Sequence, residues 1–168
     1  MSERFDIPVM VRITTRIAHQ RQVVPLKKIN IPNPEGEFEK NFDQYVTMPP
    51  RVLELKSELL EKIGEIKKES ESSELNPIES IDSHVSDLGI VTSGVSYSYV
   101  KEALDKLDLE IPVLKLGYFY PLPEKKIKIF IDNLEQVFVV EELEPYLEDK
   151  IKGLAKSENS NLEIFGKD

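Results

Sequence analysis

Apolar residues follow two kinds of spacing from about residue 84 to the end of the chain. Short apolar runs, which predict strands, cover residues 88–92, 111–116, 136–142 and 161–166. Between these runs, apolar residues recur three and four positions apart, which predicts one amphipathic helix in each gap. Strands that alternate with single helices form parallel βαβ units with right-handed crossovers. The pattern therefore predicts an α/β fold, a three-layer domain with a mostly parallel sheet.

The first half of the chain has a less regular pattern. β-Branched residues alternate along residues 8–14 and predict one strand. Prolines and Gly36 interrupt the segment before Pro50, and one helix is predicted after it. The apolar face of that helix consists of Val52, Leu55, Leu59, Ile63 and Ile66. The helix leads into KKESESSELNP, a polar, serine-rich stretch typical of a linker.

Composition narrows the possible chemistry. The 168 residues include no cysteine, which excludes disulfides, thiolate nucleophiles and cysteine-ligated zinc or iron–sulfur sites in this chain. The two histidines are too few for a histidine-based metal centre without carboxylates. A net charge of −9 disfavours nucleic acid as a partner, and no apolar run is long enough to cross a membrane. The composition is typical of a soluble cytoplasmic protein.

The turn in IVTSGVSY raises the question of a phosphate site. Gly89 and Gly94 do not form the GxGxxG of a dinucleotide site, and the Gly-Lys-Ser/Thr of a P-loop is absent. The residues around Ser93 depart from the GxSxG of a nucleophile elbow. A catalytic Ser93 would also need a base, and His84 is a candidate for that base only by elimination. We predict a structural turn, in which Thr92 and Ser93 cap the following helix and Gly94 permits the tight bend.

Three ordered blocks carry a family resemblance: IVTSGVSYSYVKEAL, IPVLKLGYFYPLPEKKI and VFVVEELEPYLEDKIKGLA. They resemble the alpha subunit of indolepyruvate ferredoxin oxidoreductase, a thiamine-diphosphate-dependent 2-oxoacid:ferredoxin oxidoreductase. The blocks are similar to the family's middle domain, which resembles the C-terminal domain of transketolase. The segment IPVMVRITTRIAH is similar to the end of the preceding pyrimidine-binding domain. The resemblance implies the end of a preceding α/β domain at 1–20, a connector with one helix at 21–83 and a transketolase C-terminal-like α/β domain at 84–168.

The resemblance implies a part in the oxidative decarboxylation of aryl pyruvates to aryl acyl-CoA, with electrons passed to ferredoxin. The family's diphosphate-binding Gly-Asp-Gly motif and its iron–sulfur cysteines are absent from this sequence. We therefore expect no catalytic, cofactor-binding or metal-binding residue here, and expect thiamine diphosphate, magnesium and 4Fe-4S clusters elsewhere in the complete enzyme. The implied partners are the remaining alpha-subunit domains and a beta subunit, with ferredoxin and coenzyme A serving the whole complex.

Residues at the end of the predicted first strand are candidates for contact with a substrate. Ligands of parallel α/β sheets bind beyond the carboxyl ends of strands. The candidates at that position are Arg12, Thr14, Thr15, Arg16 and His19. An arginine there could bind a substrate carboxylate through two hydrogen bonds. The alternative is that Arg12 and Arg16 bridge domains or subunits through acidic neighbours, and that His19 is a surface or interface residue.

Two further groups are candidates for an interface. Tyr118, Phe119 and Tyr120 form an aromatic run after the second apolar run, and this could be a docking surface or ordinary packing. Glu141 and Glu142 end the third apolar run. Because adjacent residues of a strand point to opposite faces, a joint acid–base role is disfavoured, and a polar strand end or a subunit contact is favoured.

Two functional interpretations remain open. The chain is either a non-catalytic middle-domain segment of the oxidoreductase subunit, inactive in isolation, or a free-standing α/β protein-interaction module without redox chemistry. The strand predicted at 8–14 has its sheet neighbours outside this sequence in the resembled family. Since an unpaired apolar strand is a template for pairing, we expect self-association or pairing with a neighbouring element.

Overall fold

The computed structural model describes residues 1–21, 23–26, 28, 40–79 and 86–167. Two compact units are present, Met1–Lys62 and Ile63–Asp168. The described helices are α1 Ser2–Phe5, α2 Thr15–Ala18, α3 Phe42–Tyr45, α4 Arg51–Ser72, α5 Ser96–Leu107, α6 Glu124–Ile131 and α7 Tyr146–Glu158. The described strands are β1 Ile78–Glu79, β2 Leu88–Ser93, β3 Val113–Leu116, β4 Gln136–Val140 and β5 Glu163–Phe165. None of the helices in these ranges is long and apolar enough to cross a membrane.

The five strands form one sheet in the order β1-β3-β2-β4-β5. β2 lies in the centre, where Val91 pairs with Leu114 of β3 and with Val139 of β4. The pairings of β2 with β3, of β2 with β4 and of β4 with β5 are parallel, and β1 pairs antiparallel with β3. The predicted α/β fold with a mostly parallel sheet is therefore confirmed.

Helices cover both faces of the sheet. α6 and α7 pack on one face, where Ile127 and Ile151 join a fully buried cluster with Val91 of the central strand. α5 packs on the other face, where Val100 and Leu104 contact a cluster that includes Ile90. Since successive strand residues point to opposite faces, both faces of β2 need apolar residues. This explains why the strand has a continuous apolar run rather than an alternating one.

The unit Met1–Lys62 has little core of its own. Phe5 is the single buried hydrophobic residue among its described residues. The strand predicted at 8–14 is wrong, because these residues pair with no described segment and α2 begins at Thr15. A strand depends on a neighbour to satisfy its backbone groups, and the sequence pattern does not reveal whether a neighbour is present.

The serine-rich stretch predicted as a linker is packed into the second unit over residues 69–79. α4 extends to Ser72, and Ser70 and Asn76 are fully buried. Ile78 of β1 then pairs with Leu114 of β3. Burial here depends on polar contacts with distant residues, which local composition does not reveal. The domain boundary predicted near residue 83 stays a prediction, since residues 80–85 lie outside the described ranges.

Candidate functional site

The loops that follow β2, β3 and β4 form the carboxyl edge of the sheet. β2 and β4 are neighbours, yet the helices that follow them, α5 and α7, pack on opposite faces. Ligands of open α/β sheets bind at such a switch in the direction of the connections. The carboxyl edge is therefore where a site is expected in this unit.

The turn after β2 is structural, but its hydroxyl groups act differently from the prediction. The Thr92 hydroxyl donates to the Val140 carbonyl oxygen at 2.8 Å and so joins β2 to β4. The N-cap of α5 is Val95, which makes no side-chain capping bond, so the predicted capping by Thr92 and Ser93 is wrong. Gly94 has φ +59°, which confirms the tight bend that glycine permits. His84 lies outside the described residues.

Asn76 holds the loop after β3. Its side-chain carbonyl accepts a hydrogen bond from the Tyr118 backbone N–H at 2.8 Å, and its amide nitrogen donates to the Ser70 carbonyl oxygen at 3.0 Å. Gly117 precedes this contact, and a Cβ added there would lie 2.7 Å from the Leu75 carbonyl oxygen. The buried asparagine thus ties the end of α4 to the loop that carries the aromatic run.

The three residues of the aromatic run have different environments. Burial, with a further contribution from nearby Glu69, raises the pKa of the Tyr118 hydroxyl. The Phe119 ring packs against Tyr146 of α7, with ring centres 5.4 Å apart. Tyr120 is 70% exposed. Phe119 therefore contributes to packing within the unit, whereas Tyr120 is available at the surface, and a docking role for this run stays a prediction.

Glu141 caps α7 from the loop after β4. Its carboxylate oxygens accept hydrogen bonds from the backbone N–H groups of Leu147 and Glu148, each at 2.9 Å. Glu71 of α4 binds the start of α6 in the same way, through the N–H groups of Lys125 and Lys126, also at 2.9 Å. A carboxylate at a helix start satisfies free N–H donors and complements the positive end of the helix dipole.

Replacing Glu141 with alanine should lower the free energy of unfolding by about 1–2 kcal/mol, because two helix N–H groups lose their acceptor. Glu142 is adjacent and exposed, so Glu142→Ala is a matched control that should change stability by less than about 0.5 kcal/mol. Urea unfolding followed by circular dichroism measures both variants. Equal losses in the two variants would contradict the capping role.

Four side chains form a charged cluster between β1, β3 and α5. The Tyr97 hydroxyl donates to the Glu79 carboxylate at 2.5 Å, Lys101 Nζ lies 3.2 Å from the same carboxylate, and Lys115 Nζ lies 4.4 Å from the Tyr97 ring centre. The hydrogen bond from Tyr97, with help from Lys101, lowers the pKa of Glu79. The same hydrogen bond, followed by burial, raises the pKa of Tyr97.

A double-mutant cycle of Tyr97→Phe and Glu79→Gln should give a coupling energy of about 1 kcal/mol at pH 7. Because the pKa of Glu79 is lowered on folding, its contribution is complete above the ordinary carboxyl range and is lost as the pH falls through the lowered value. Urea unfolding at several pH values tests this. Tyr120→Phe, at an exposed tyrosine of the same unit, is the control, and a coupling that does not change with acid would contradict the assignment.

The five substrate-side candidates all lie in the unit Met1–Lys62. The Thr14 hydroxyl accepts a hydrogen bond from the Ile17 N–H at 3.5 Å and so caps α2. Thr15 and Arg16 lie within α2, while Arg12 and His19 are exposed on either side of it. The sequence pattern at residues 12–19 did not predict the capping role of Thr14. Contact of these residues with a substrate stays a prediction.

The polar groups described at the carboxyl edge bond mostly to backbone atoms. Thr92 joins β2 to β4, Asn76 holds the loop after β3, and Glu141 caps the start of α7. Within the described ranges, no group of three histidine, aspartate or glutamate side chains is arranged to hold a metal ion. Asn76 and Glu71 bond to residues 42 and 54 positions away, and such non-local contacts cannot be identified from sequence spacing. Glu141 bonds to residues only six and seven positions away, but this spacing is longer than that of an ordinary helix cap.

Comparisons with known proteins show that the chain is similar to part of a longer protein. No family model matches it. It is 40% identical to the indolepyruvate oxidoreductase subunit IorA of Methanothermobacter marburgensis over 167 residues, which cover 99% of this chain and 27% of that protein. The subunit of the same name from Archaeoglobus fulgidus is 38% identical over 172 residues, 99% of this chain and 26% of that protein. The chain therefore spans about a quarter of the length of these curated relatives.

A solved structure supports the fold. The 2-oxoglutarate:ferredoxin oxidoreductase from Magnetococcus marinus, with 2-oxoglutarate, coenzyme A and succinyl-CoA bound, superposes with a TM-score of 0.50. The match covers 71% of this chain and 20% of that chain, at 16% identity. The resemblance predicted from the three sequence blocks is thus confirmed: over its whole length, the chain is similar to a segment of the indolepyruvate oxidoreductase subunit IorA.

Proposed function

We propose that the chain is a non-catalytic segment of an indolepyruvate oxidoreductase subunit and that it holds the domains and subunits of the enzyme in register. One observation carries this proposal: 99% of the chain aligns with IorA at 40% identity, yet the alignment covers only 27% of that protein. A segment that aligns from end to end with part of a larger subunit is expected to act with the remainder of that subunit.

The complete enzyme is proposed to convert aryl pyruvates to aryl acyl-CoA by oxidative decarboxylation, with electrons passed to ferredoxin. Its remaining alpha-subunit domains and a beta subunit are the proposed partners of this chain. Thiamine diphosphate, magnesium and 4Fe-4S clusters are assigned to those parts, and residues 84–168 are assigned to a transketolase C-terminal-like domain. The proposed location is the cytoplasm.

The helix starts at α6 and α7 support the assignment of the cofactor away from these two places. A bound diphosphate needs a divalent cation with oxygen ligands, and it favours backbone N–H donors at a helix start. Glu71 and Glu141 already bring a carboxylate to those donors in α6 and α7. A diphosphate at either place would have to displace a carboxylate or lie beside its negative charge, which is electrostatically unfavourable.

A complementation experiment tests the proposal. The matching segment is removed from the IorA of Methanothermobacter marburgensis, and the shortened subunit is assembled with its partner subunit. Adding this chain should restore indolepyruvate- and coenzyme A-dependent dye reduction, whereas the shortened enzyme alone should be inactive. A free-standing interaction module would give no recovery, and that result would contradict the proposal.

Two measurements on the isolated chain test its non-catalytic character. Calorimetric titration with thiamine diphosphate and magnesium should show no micromolar binding. Dye reduction with indolepyruvate and coenzyme A should not exceed the background rate. Micromolar binding or turnover by the pure chain would place cofactor chemistry in this segment and would contradict the proposal.

A further inference from the structure

Leu143, in the loop after β4, has a backbone conformation that leucine rarely adopts. Its φ is +62°, in the left-handed region that glycine occupies without strain. The other described non-glycine residues with positive φ are Asp6 and Asp108, which end α1 and α5. Aspartate tolerates this region because its short polar side chain can bond locally. Leucine has no polar group for such a bond, so the backbone at Leu143 is strained.

Hydrogen bonds hold the strained loop from both sides. The Glu141 carboxylate accepts from the first N–H groups of α7, and the Tyr146 N–H donates to the Glu144 carbonyl oxygen at 2.8 Å. The Lys167 ammonium group donates to the Leu143 carbonyl oxygen. The leucine side chain takes no part in these bonds, belongs to neither buried cluster of the second unit and is 76% exposed. Glycine would therefore fit the same loop with less strain.

Aromatic residues lie on the loops near Leu143. The Phe119 ring contacts the Tyr146 ring, which joins the loop after β3 to the start of α7. Tyr120, next to Phe119, is 70% exposed, and Tyr146 is 40% exposed. Tyrosine is enriched among the residues that contribute most to binding at protein interfaces. The carboxyl edge of the sheet thus presents exposed apolar and aromatic groups from two adjacent loops.

Two carboxylates flank the leucine. Glu142 and Glu144 are exposed, and none of the ion pairs between described residues includes either of them. They differ in this from Glu141, which caps α7, and from Glu148, which is buried and paired with Lys152. An exposed apolar centre with a charged rim is the usual arrangement of a protein interface. We call this set the loop surface: Tyr120, Glu142, Leu143, Glu144 and Tyr146.

We propose that the loop surface docks onto another part of the indolepyruvate oxidoreductase, where an apolar pocket with basic residues at its rim receives Leu143. This inference rests on the proposed function, because the partner belongs to the part of the enzyme that this chain does not include. Burial of the leucine side chain in the complex offsets the strain that the isolated chain carries. Two copies joined through this surface about a two-fold axis would instead bring Glu142 and Glu144 against their own counterparts, and each chain has a net charge of −9.

Thermal unfolding of the isolated chain tests whether Leu143 is strained without a local benefit. Leu143→Gly relieves the strain and should raise the unfolding temperature by about 2–4 °C. Leu143→Ala keeps a Cβ, and with it the strain, so its unfolding temperature should lie within about 1 °C of the wild-type value. A clear fall in both variants would show that the leucine side chain stabilises the chain itself, and would overturn the proposal.

Calorimetric titration measures docking onto the shortened IorA of Methanothermobacter marburgensis assembled with its partner subunit. Leu143→Gly and Leu143→Ala should each raise the dissociation constant by about tenfold or more. Leu107→Ala, which shortens a leucine that is 66% exposed at the end of α5, should leave the constant unchanged. Glu142→Lys should raise the constant by about threefold or more. Glu110→Lys makes the same charge change at an exposed residue before β3 and should have no effect.

The outcomes separate this inference from the proposed function. If the wild-type chain binds and restores dye reduction while the Leu143 variants bind equally well, this inference alone is wrong. If the wild-type chain neither binds nor restores dye reduction, the proposed function is wrong as well. Sedimentation velocity of the chain by itself tests the choice of partner. Dimers that Leu143→Ala weakens would assign the loop surface to contact between copies and would overturn the proposal.

Discussion

Replacing Asn76 with alanine should lower the free energy of unfolding by about 3 kcal/mol, because several buried polar groups lose their partner together. The Tyr118 N–H and the Ser70 carbonyl oxygen both bond to the Asn76 side chain, which is fully buried. Alanine supplies neither a donor nor an acceptor, so both groups lose the partner that the asparagine side chain provides. Urea unfolding monitored by circular dichroism gives the magnitude.

Asn161 provides the matched control for Asn76. It is exposed, so Asn161→Ala should change the free energy of unfolding by less than about 0.5 kcal/mol. A loss of similar size at both positions would mean that removing an asparagine side chain, rather than the buried hydrogen bonds, determines the effect. A small loss at Asn76 would mean that the loop after β3 is held by other contacts.

The second large effect is expected at Gly166. A Cβ added there would overlap the carboxyl group of Glu148, which is fully buried. That carboxylate accepts a hydrogen bond from the Lys167 N–H at 2.7 Å and pairs with Lys152 Nζ at 2.7 Å. Gly166→Ala must therefore displace a buried charge from its partners, which should lower the free energy of unfolding by about 3 kcal/mol.

Gly153 of α7 provides a control, because its replacement by alanine is expected to change the free energy of unfolding in the opposite direction. A Cβ there meets no atom within 4 Å, so Gly153→Ala should raise the free energy of unfolding by about 0.5–1 kcal/mol, because alanine has the higher helix propensity. Thermal unfolding of the two variants, measured side by side, tests the pair. If both substitutions shifted stability in the same direction, the close approach of Glu148 to residue 166 would not be the determining contact.

The elements whose identity depends on local spacing were predictable. β2, β3 and β4 are short apolar runs, and α5, α6 and α7 have apolar residues three and four positions apart, so hydrophobic burial alone indicates their type. β1 was missed because it has only two residues, Ile78 and Glu79, and becomes a strand through its pairing with β3. The strand predicted at 8–14 was wrong for the converse reason, since its pattern is strand-like but no described segment pairs with it.

The polar contacts of the carboxyl edge were less accessible to sequence reasoning. Asn76 and Tyr118 are separated by 42 positions, and Glu71 binds Lys125 from 54 positions away. A glutamate followed by a proline-containing loop gives no local sign that it caps the next helix, so Glu141 was predicted to be a polar strand end or a subunit contact. Such assignments need the tertiary structure, because the energy of a buried polar group depends on the particular partner it meets.

The order of strands in the sheet has a consequence for the rate of folding. None of the described neighbouring strands is joined by a hairpin. α5 connects β2 to β3, and α7 connects β4 to β5. β2 and β4 are neighbours in the sheet, but α5, β3 and α6 lie between them in the sequence. Each ladder must therefore close a long loop before its hydrogen bonds form. Folding of this unit is expected on a scale of about milliseconds to seconds rather than microseconds. During that interval the apolar strands have no neighbours, so the yield of refolding should fall as the chain concentration rises.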